Sequence, residues 1–164
     1  VKKWSMFLMS VVMVLSFISS VTSAAPSAQK VEKQIGYITQ VQKQKNGKYK
    51  VTIDYIQWFS GEAANRAMRE DGKCKGFESE CFAPNDFYIR NVNPKLRTFE
   101  LSKKAVIRLQ TFGRKDGNFY FDQKVSLDNF ANHFNKNKQH QAHIPYWIEL
   151  QSGVIVKVTE QYVP

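Results

Sequence analysis

Residues Lys48–Gly72 read KYKVTIDYIQWFSGEAANRAMREDG, and this stretch decides the fold. Tyr49, Val51, Ile53 and Tyr55 alternate with Lys50, Thr52 and Asp54. A period of two puts the first set on one face of a strand and the second on the other, as a half-buried antiparallel sheet requires. At Tyr55-Ile56-Gln57-Trp58-Phe59 apolar residues fall on both faces, so the strand either bulges or is buried on both sides. Ser60 then offers an N-cap hydroxyl, Glu62 lies where a helix dipole favours an anion, and Gly72 suits a left-handed stop. The stretch predicts a strand, a corner and a short helix. Trp58 is expected in the core beneath the small residues Ala63, Ala64 and Ala67, and Trp147 is expected there too.

Upstream, Ile35–Val41 reads as a partner strand, joined through Asn46-Gly47, a pair that favours a type I′ turn. Downstream, residues 86–90 and 96–101 read as strands connected by the turn Asn91–Lys95, with a further extended segment at Ala105–Gln110 and another at Phe119–Phe121. Ser126 caps a second helix in which Leu127, Phe130, Ala131 and Phe134 recur at helical spacing. A polar tract follows from Asn135 to His143. A last hairpin, Ile144–Val163, turns at Ser152-Gly153 and sets Val154, Val156 and Val158 on one face. Six or seven strands with two short helices indicate an α+β domain, mainly antiparallel. An OB-like or half-open barrel would hide its sheet edges.

The first 24 residues read as a signal peptide: Lys2 and Lys3, an apolar run from Phe7 to Val21, and the small exit Thr22-Ser23-Ala24. A transmembrane anchor is the rival reading, but the run is short of the roughly 20 residues that span a bilayer. Residues 25–34 read as a disordered leader and residues 35–164 as one domain. Lys and Arg number 24 against 14 Asp and Glu, a formal net charge of +10. That balance suits a secreted protein, retained in part at the cell wall, whose partner is an anionic wall polymer or another exported protein. A basic face with interleaved aromatics also suits single-stranded nucleic acid, although a solvated basic surface accounts for the same residues.

Cys74 and Cys81 stand close enough in sequence to form a disulfide, the alternative being two free thiols. Two cysteines without a nearby His fall short of a zinc site, and His133, His140 and His143 sit in polar surroundings that suit solvated side chains, so no metal is expected. Asp116, Asn118 and Asp122 lie in a turn with too few oxygen ligands for an EF-hand loop. Nucleophile-elbow, phosphate-loop and dinucleotide-binding glycine patterns are absent, and no cofactor is implied. Asp54, Glu62, Asp86 and Glu160 are carboxylates near aromatic residues, each with a plain role as cap, turn or exposed strand residue. Gln57, Tyr88 and Arg97 are polar groups that the same strands present beside the aromatics, and they are the candidate binding residues.

Three segments carry a resemblance: DYIQWFSGEAA (Asp54–Ala64), NDFYIRNVNPKLRTFEL (Asn85–Leu101) and PYWIELQSGVIVKVTEQYVP (Pro145–Pro164). Together they resemble a family of small exported single-domain proteins of Gram-positive bacteria. The resemblance implies export and a single domain, and it carries over no activity. The KCKGFESEC loop departs from the shorter loop of that family, so a disulfide there would be particular to this chain. Two functions fit: a non-enzymatic binding or interaction module at or outside the cell envelope, or a small extracellular hydrolase working through carboxylates. A single-stranded nucleic-acid-binding role is a further alternative. A deep polar pocket collecting Asp54, Asp86 or Glu160 would favour the enzyme, and a shallow aromatic or basic surface would favour binding.

Overall fold

The computed structural model describes residues 30–74, 81–113 and 121–163. Eight strands and three α-helices occur among them. The first half comprises β1 (Val31–Lys43), β2 (Tyr49–Tyr55), β3 (Gln57–Ser60), α1 (Glu62–Glu70), β4 (Phe87–Arg90) and β5 (Leu96–Leu109). The second comprises β6 (Gln123–Val125), α2 (Leu127–Lys136), α3 (Lys138–Gln141), β7 (Pro145–Gln151) and β8 (Val154–Glu160). Phe119 and Tyr120, and with them most of the strand expected at 119–121, lie outside the described residues, as do Asp116, Asn118 and residues 1–29.

The length of β1 lets it serve two neighbours. Residues 31–37 pair with β7 and residues 36–43 pair with β2, both antiparallel. The four residues 31–34, expected in the leader, therefore belong to the sheet. β2 pairs antiparallel with the first half of β5, β5 pairs parallel with β8, and β8 returns antiparallel to β7. The circuit β1-β2-β5-β8-β7 closes on itself, with β6 added along the end of β5. A three-strand meander closed by one parallel contact, with a helix before the fourth barrel strand, is the topology of an OB barrel. Closure leaves no open edge along those five strands, the usual hazard of a small sheet.

Ile38, Val51, Ile53, Ile107, Leu109, Ile148, Ile155 and Val158 fill the barrel, and Phe130 and Phe134 of α2 are buried with them. Ser126 caps α2 as expected, its hydroxyl accepting the Asn129 N–H. Ser152 and Gly153 both have positive φ and form the tight turn between β7 and β8.

Several local expectations need correction. At the first hairpin only Gly47 has positive φ, while Gln44 N–H bonds Lys48 O and Gly47 N–H bonds Gln44 O. That is a three-residue loop ending in a left-handed Gly, not a type I′ pair. Ser60 closes β3 instead of capping α1; Gly61 takes the cap position without a side-chain bond. Gly72 does end the helix, with its N–H to Arg69 O and the Lys73 N–H to Met68 O, the paired bonds of a Schellman motif. The segments 87–90 and 96–101 do not pair with each other, because β4 pairs with β3 and β5 with β2. The tract 135–143 is partly helical, since α2 runs to Lys136 and α3 follows.

The break at Ile56 separates barrel from insertion. Ile56 is buried and its N–H bonds Ile35 O, whereas β3, α1 and β4 form an excursion between the second and third barrel strands. Trp58 is only partly buried there and stacks flat on Phe87, with ring centroids 4.6 Å apart. Trp147 likewise looks outward from β7, its indole N–H bonded to Gln161, while Tyr146 takes the core position beside it. Strand parity decides this: Tyr146, Ile148 and Leu150 point in, so Trp147 points out.

Candidate functional site

The face that OB barrels use for oligonucleotides lies on the second and third barrel strands. Here those are β2 and the first half of β5, whose outward residues are Lys50, Thr52 and Asp54 beside Leu96, Thr98 and Glu100. Thr52 and Thr98 share a hydrogen bond at 2.9 Å, and Lys48 pairs with Glu100 at 2.9 Å. This patch has mixed charge and no aromatic ring on which a base would stack. The turn between the last two barrel strands is only Ser152-Gly153.

A cleft of about 440 Å³ opens elsewhere, where the ends of β5 and β8 meet the segment after α3. Its described polar lining is Gln110, Thr111, His140, His143, Glu160 and Gln161; Ile89, Ile144, Pro145 and Val163 give it apolar walls, and Tyr162 also lines it. The volume suits a small molecule or a few residues of peptide.

Glu160 is the unusual member. Its parity on β8 is inward, it lies opposite Tyr146 in the register, and it is 2 % exposed. It shares that inward face with Val158, two residues before it; the pairing of β7 with β8 skips Val156, so farther back Ile155 points in instead of Val154 and Val156. Glu160 Oε2 accepts the backbone N–H groups of Gln110 at 2.9 Å and Thr111 at 3.2 Å. Oε1 accepts no hydrogen bond from a described residue, and no Lys or Arg among the described residues lines the cleft. Burying a carboxylate without a cation is costly, and amide donors relieve only part of that cost. The hydroxyl Oγ1 of Thr111, on the same wall, is buried without a hydrogen-bond partner.

His140 and His143 are the exposed side chains that their polar surroundings suggest, and His133 is not. His140 and His143 line the cleft. His133 is half-buried, packs edge-on against Phe112 and hydrogen-bonds Gln141 at 3.1 Å. Gln141 is itself buried and accepts the Tyr146 hydroxyl. Burial holds the His133 imidazole below its ordinary pKa; the charge of Glu160 pulls the other way, and His140 adds to the depression. Burial, with the Glu160 charge second, raises the Tyr146 phenol well above its usual range. No three His, Cys, Asp or Glu side chains among the described residues are placed to hold a metal ion.

Gln57, Tyr88 and Arg97 do not converge on this cleft. Gln57 is exposed at the start of β3 and lines a separate groove of about 300 Å³ with Tyr55, Arg90 and Val92. Arg97 is not among the groove's lining residues; its guanidinium lies 4.6 Å from the centre of the Tyr55 ring, which is, and donates to Lys95 O. The Tyr88 hydroxyl is occupied by Asp71 at 3.0 Å. The other carboxylates are also dispersed. Asp54 accepts from Asn91, Glu62 pairs with Arg69, and Asp86 sits in a 3₁₀ turn at the foot of the insertion. Cys74 and Cys81 form a disulfide with Cα atoms 5.2 Å apart, beside the C-terminal end of α1.

Comparison of the chain with family models, curated proteins and solved structures returns no match. No helix among the described residues is long and apolar enough to cross a membrane.

Proposed function

We propose that this protein is an exported, non-enzymatic binding module that acts at or outside the bacterial cell envelope, seating its ligand in the Glu160 cleft. One observation carries the reading: a barrel otherwise filled with aliphatic and aromatic side chains turns a carboxylate inward at its mouth, beside the cleft. The disulfide fits an oxidising compartment. Without its first 24 residues the chain keeps a net charge of about +8, which suits retention near anionic wall polymers, with the cleft supplying selectivity. The hydrolase alternative has less support, because Asp54 and Asp86 stand apart from Glu160 and acid–base hydrolysis of a glycoside uses two carboxylates across one bond. The smaller groove, lined by Gln57 and by Tyr55 with Arg97 against its ring, is the second place where a partner would be read. Membership of the Gram-positive exported family stays part of this proposal, as do release after residue 24 and location in the medium.

Two measurements test it. N-terminal sequencing of protein recovered from the medium should begin near Ala25. Amide NMR spectra of ¹⁵N-labelled protein, screened against a small-fragment set, should move signals of Gln110, Thr111 and His143 without any fragment being consumed. Fragments that collect on the β2–β5 face, or that turn over, would overthrow the reading.

A further inference from the structure

We infer that the cleft recognises a primary ammonium group on a short apolar stem, with Glu160 as its counter-ion. This rests on the reading of the cleft as the binding site, and it names the chemistry that the site selects.

Consider what Glu160 does for the fold alone. Its Oε2 joins the end of β5 to β8 through the N–H groups of Gln110 and Thr111. A glutamine carbonyl would accept the same two bonds and bring no charge into a site that is 2 % exposed. The negative charge is therefore surplus to the structural role, and it sits opposite Tyr146 with no Lys or Arg among the described lining, where His140 and His143 are the basic groups and neither hydrogen-bonds the carboxylate. In a chain with 24 Lys and Arg, that leaves the carboxylate available to a cation from outside.

The remaining lining narrows the cation. A metal ion wants several anionic or imidazole ligands converging, and no such group of three exists among the described residues. A guanidinium would be matched best by a carboxylate with both oxygens open, whereas Oε2 is already held by two amides. An ammonium needs one charged acceptor and one or two neutral ones. Oε1 supplies the first, and the unpartnered Thr111 hydroxyl is a neutral oxygen on the same wall. Gln161 is not a competitor, since its amide is engaged by Trp147 and by the Tyr162 carbonyl. Ile144, Pro145 and Ile89 then offer apolar surface to the stem.

The test compares isosteres on the full wild-type chain by amide NMR at pH 7.5. Isoamylammonium chloride should shift the Gln110 and Thr111 amide signals saturably, because those N–H groups bond the carboxylate that the ammonium neutralises. The neutral isostere 3-methylbutan-1-ol should bind at least about tenfold more weakly, the factor expected of one charge-assisted hydrogen bond. Glu160→Gln should abolish that difference; if the variant fails to fold, the wild-type pair still decides. Leucinamide against N-acetylleucinamide separates the sources. Preference for leucinamide over isoamylammonium points to the amino end of a peptide or amino acid, and the reverse to a free alkylamine. Equal binding of amine and alcohol in the cleft would overturn the ammonium inference and leave the binding module standing. No shift at Gln110, Thr111 or His143 with any of the four probes would overturn both.

Discussion

Arg90 on β4 grips Asp71 at the end of α1, its Nε donating to Asp71 Oδ2 at 2.7 Å. The same guanidinium reaches Glu70 at 2.9 Å and the Ala67 carbonyl at 3.1 Å, and it lies over the Phe59 ring. One planar group thus ties the last turn of α1 to the two-stranded sheet, in a geometry that a lysine cannot copy. Asp71 is held below the usual carboxylate range chiefly by this hydrogen bond, and Arg90 is raised in turn. Arg90→Lys should therefore loosen the insertion while sparing the barrel. Hydrogen exchange is the measurement: amides of residues 65–71 should exchange faster, and those of β1, β7 and β8 should not change. Uniform acceleration across both parts would mean that the insertion and barrel unfold as one unit.

The disulfide closes a short loop directly after that helix. In the chain-entropy model a loop of this size stabilises by about 2 to 3 kcal/mol. Cys81 is buried and the next described residues lead into the Asn65–Ala83 hydrogen bond, so reduction frees a segment anchored at both ends. Thermal melts with and without a phosphine reductant should differ by several degrees. Coincident melts would show that the bridge adds nothing to stability.

Stability should also fall in mildly acidic solution, through His133. Its folded pKa lies below the ordinary value of 6.5, so as pH drops the unfolded chain takes up the proton first. Its contribution is complete above about pH 6.5 and is lost as pH falls through that value toward the lower folded one. Glu160 opposes the shift and a protonated His140 reinforces it. The lowered carboxylates Glu62, Asp71 and Asp128 act only in a more acidic window, so the two effects separate. Urea midpoints at pH 7.5 and 5.5 should differ in the wild type and differ less in His133→Gln. Equal pH sensitivity in the two proteins would remove His133 from the account.

What the sequence disclosed was local, and what it hid depended on register. Ser126, Gly72 and Ser152-Gly153 were readable because a cap or turn needs only neighbours a few residues away. The barrel was readable as a kind, since alternating strands need their edges hidden. Its closure by the parallel β5–β8 contact was not, because that pairing joins strands more than 40 residues apart. Trp58 was misplaced because the small residues Ala63, Ala64 and Ala67 were expected to bury it, whereas beyond the break at Ile56 it belongs to the insertion, stacks on Phe87 and stays partly exposed. Glu160 was visible as a carboxylate near aromatics, but it passed for an exposed strand residue. Counting by twos along VIVKVTE sets it on the face of Val154, Val156 and Val158, so its inward position was open to the same alternation; the skip at Val156, which no residue in that run marks, only exchanges Val154 and Val156 for Ile155. The cleft joins Ile89, Thr111, His143 and Glu160 from four separate segments, which no spacing motif could announce.

Gly36 is the position where the barrel is least tolerant. It lies on β1 where the strand serves two neighbours at once, in register with Tyr55 on β2 and Tyr146 on β7. A Cβ there would stand 2.4 Å from the Asp54 carbonyl oxygen and 2.7 Å from Ile53 Cγ2. The first contact is with backbone, which cannot rotate away as a flexible side chain would. Replacing glycine in a strand ordinarily stabilises by restricting the unfolded chain, by about 0.4 to 1 kcal/mol where space allows. Here overpacking opposes that gain and costs about 1 to 3 kcal/mol or more. Because β1 and β2 must separate to admit the methyl group, the strain falls on barrel closure itself. Gly36→Ala should lower the urea midpoint with an unchanged slope, the sign of lost stability without a change in exposed surface. The same substitution at Gly47, where nothing lies within 4 Å of the added carbon, meets only the penalty of positive φ and should cost less. A Gly36→Ala protein at least as stable as the wild type would mean that β1 and β2 stand farther apart in solution than this register requires.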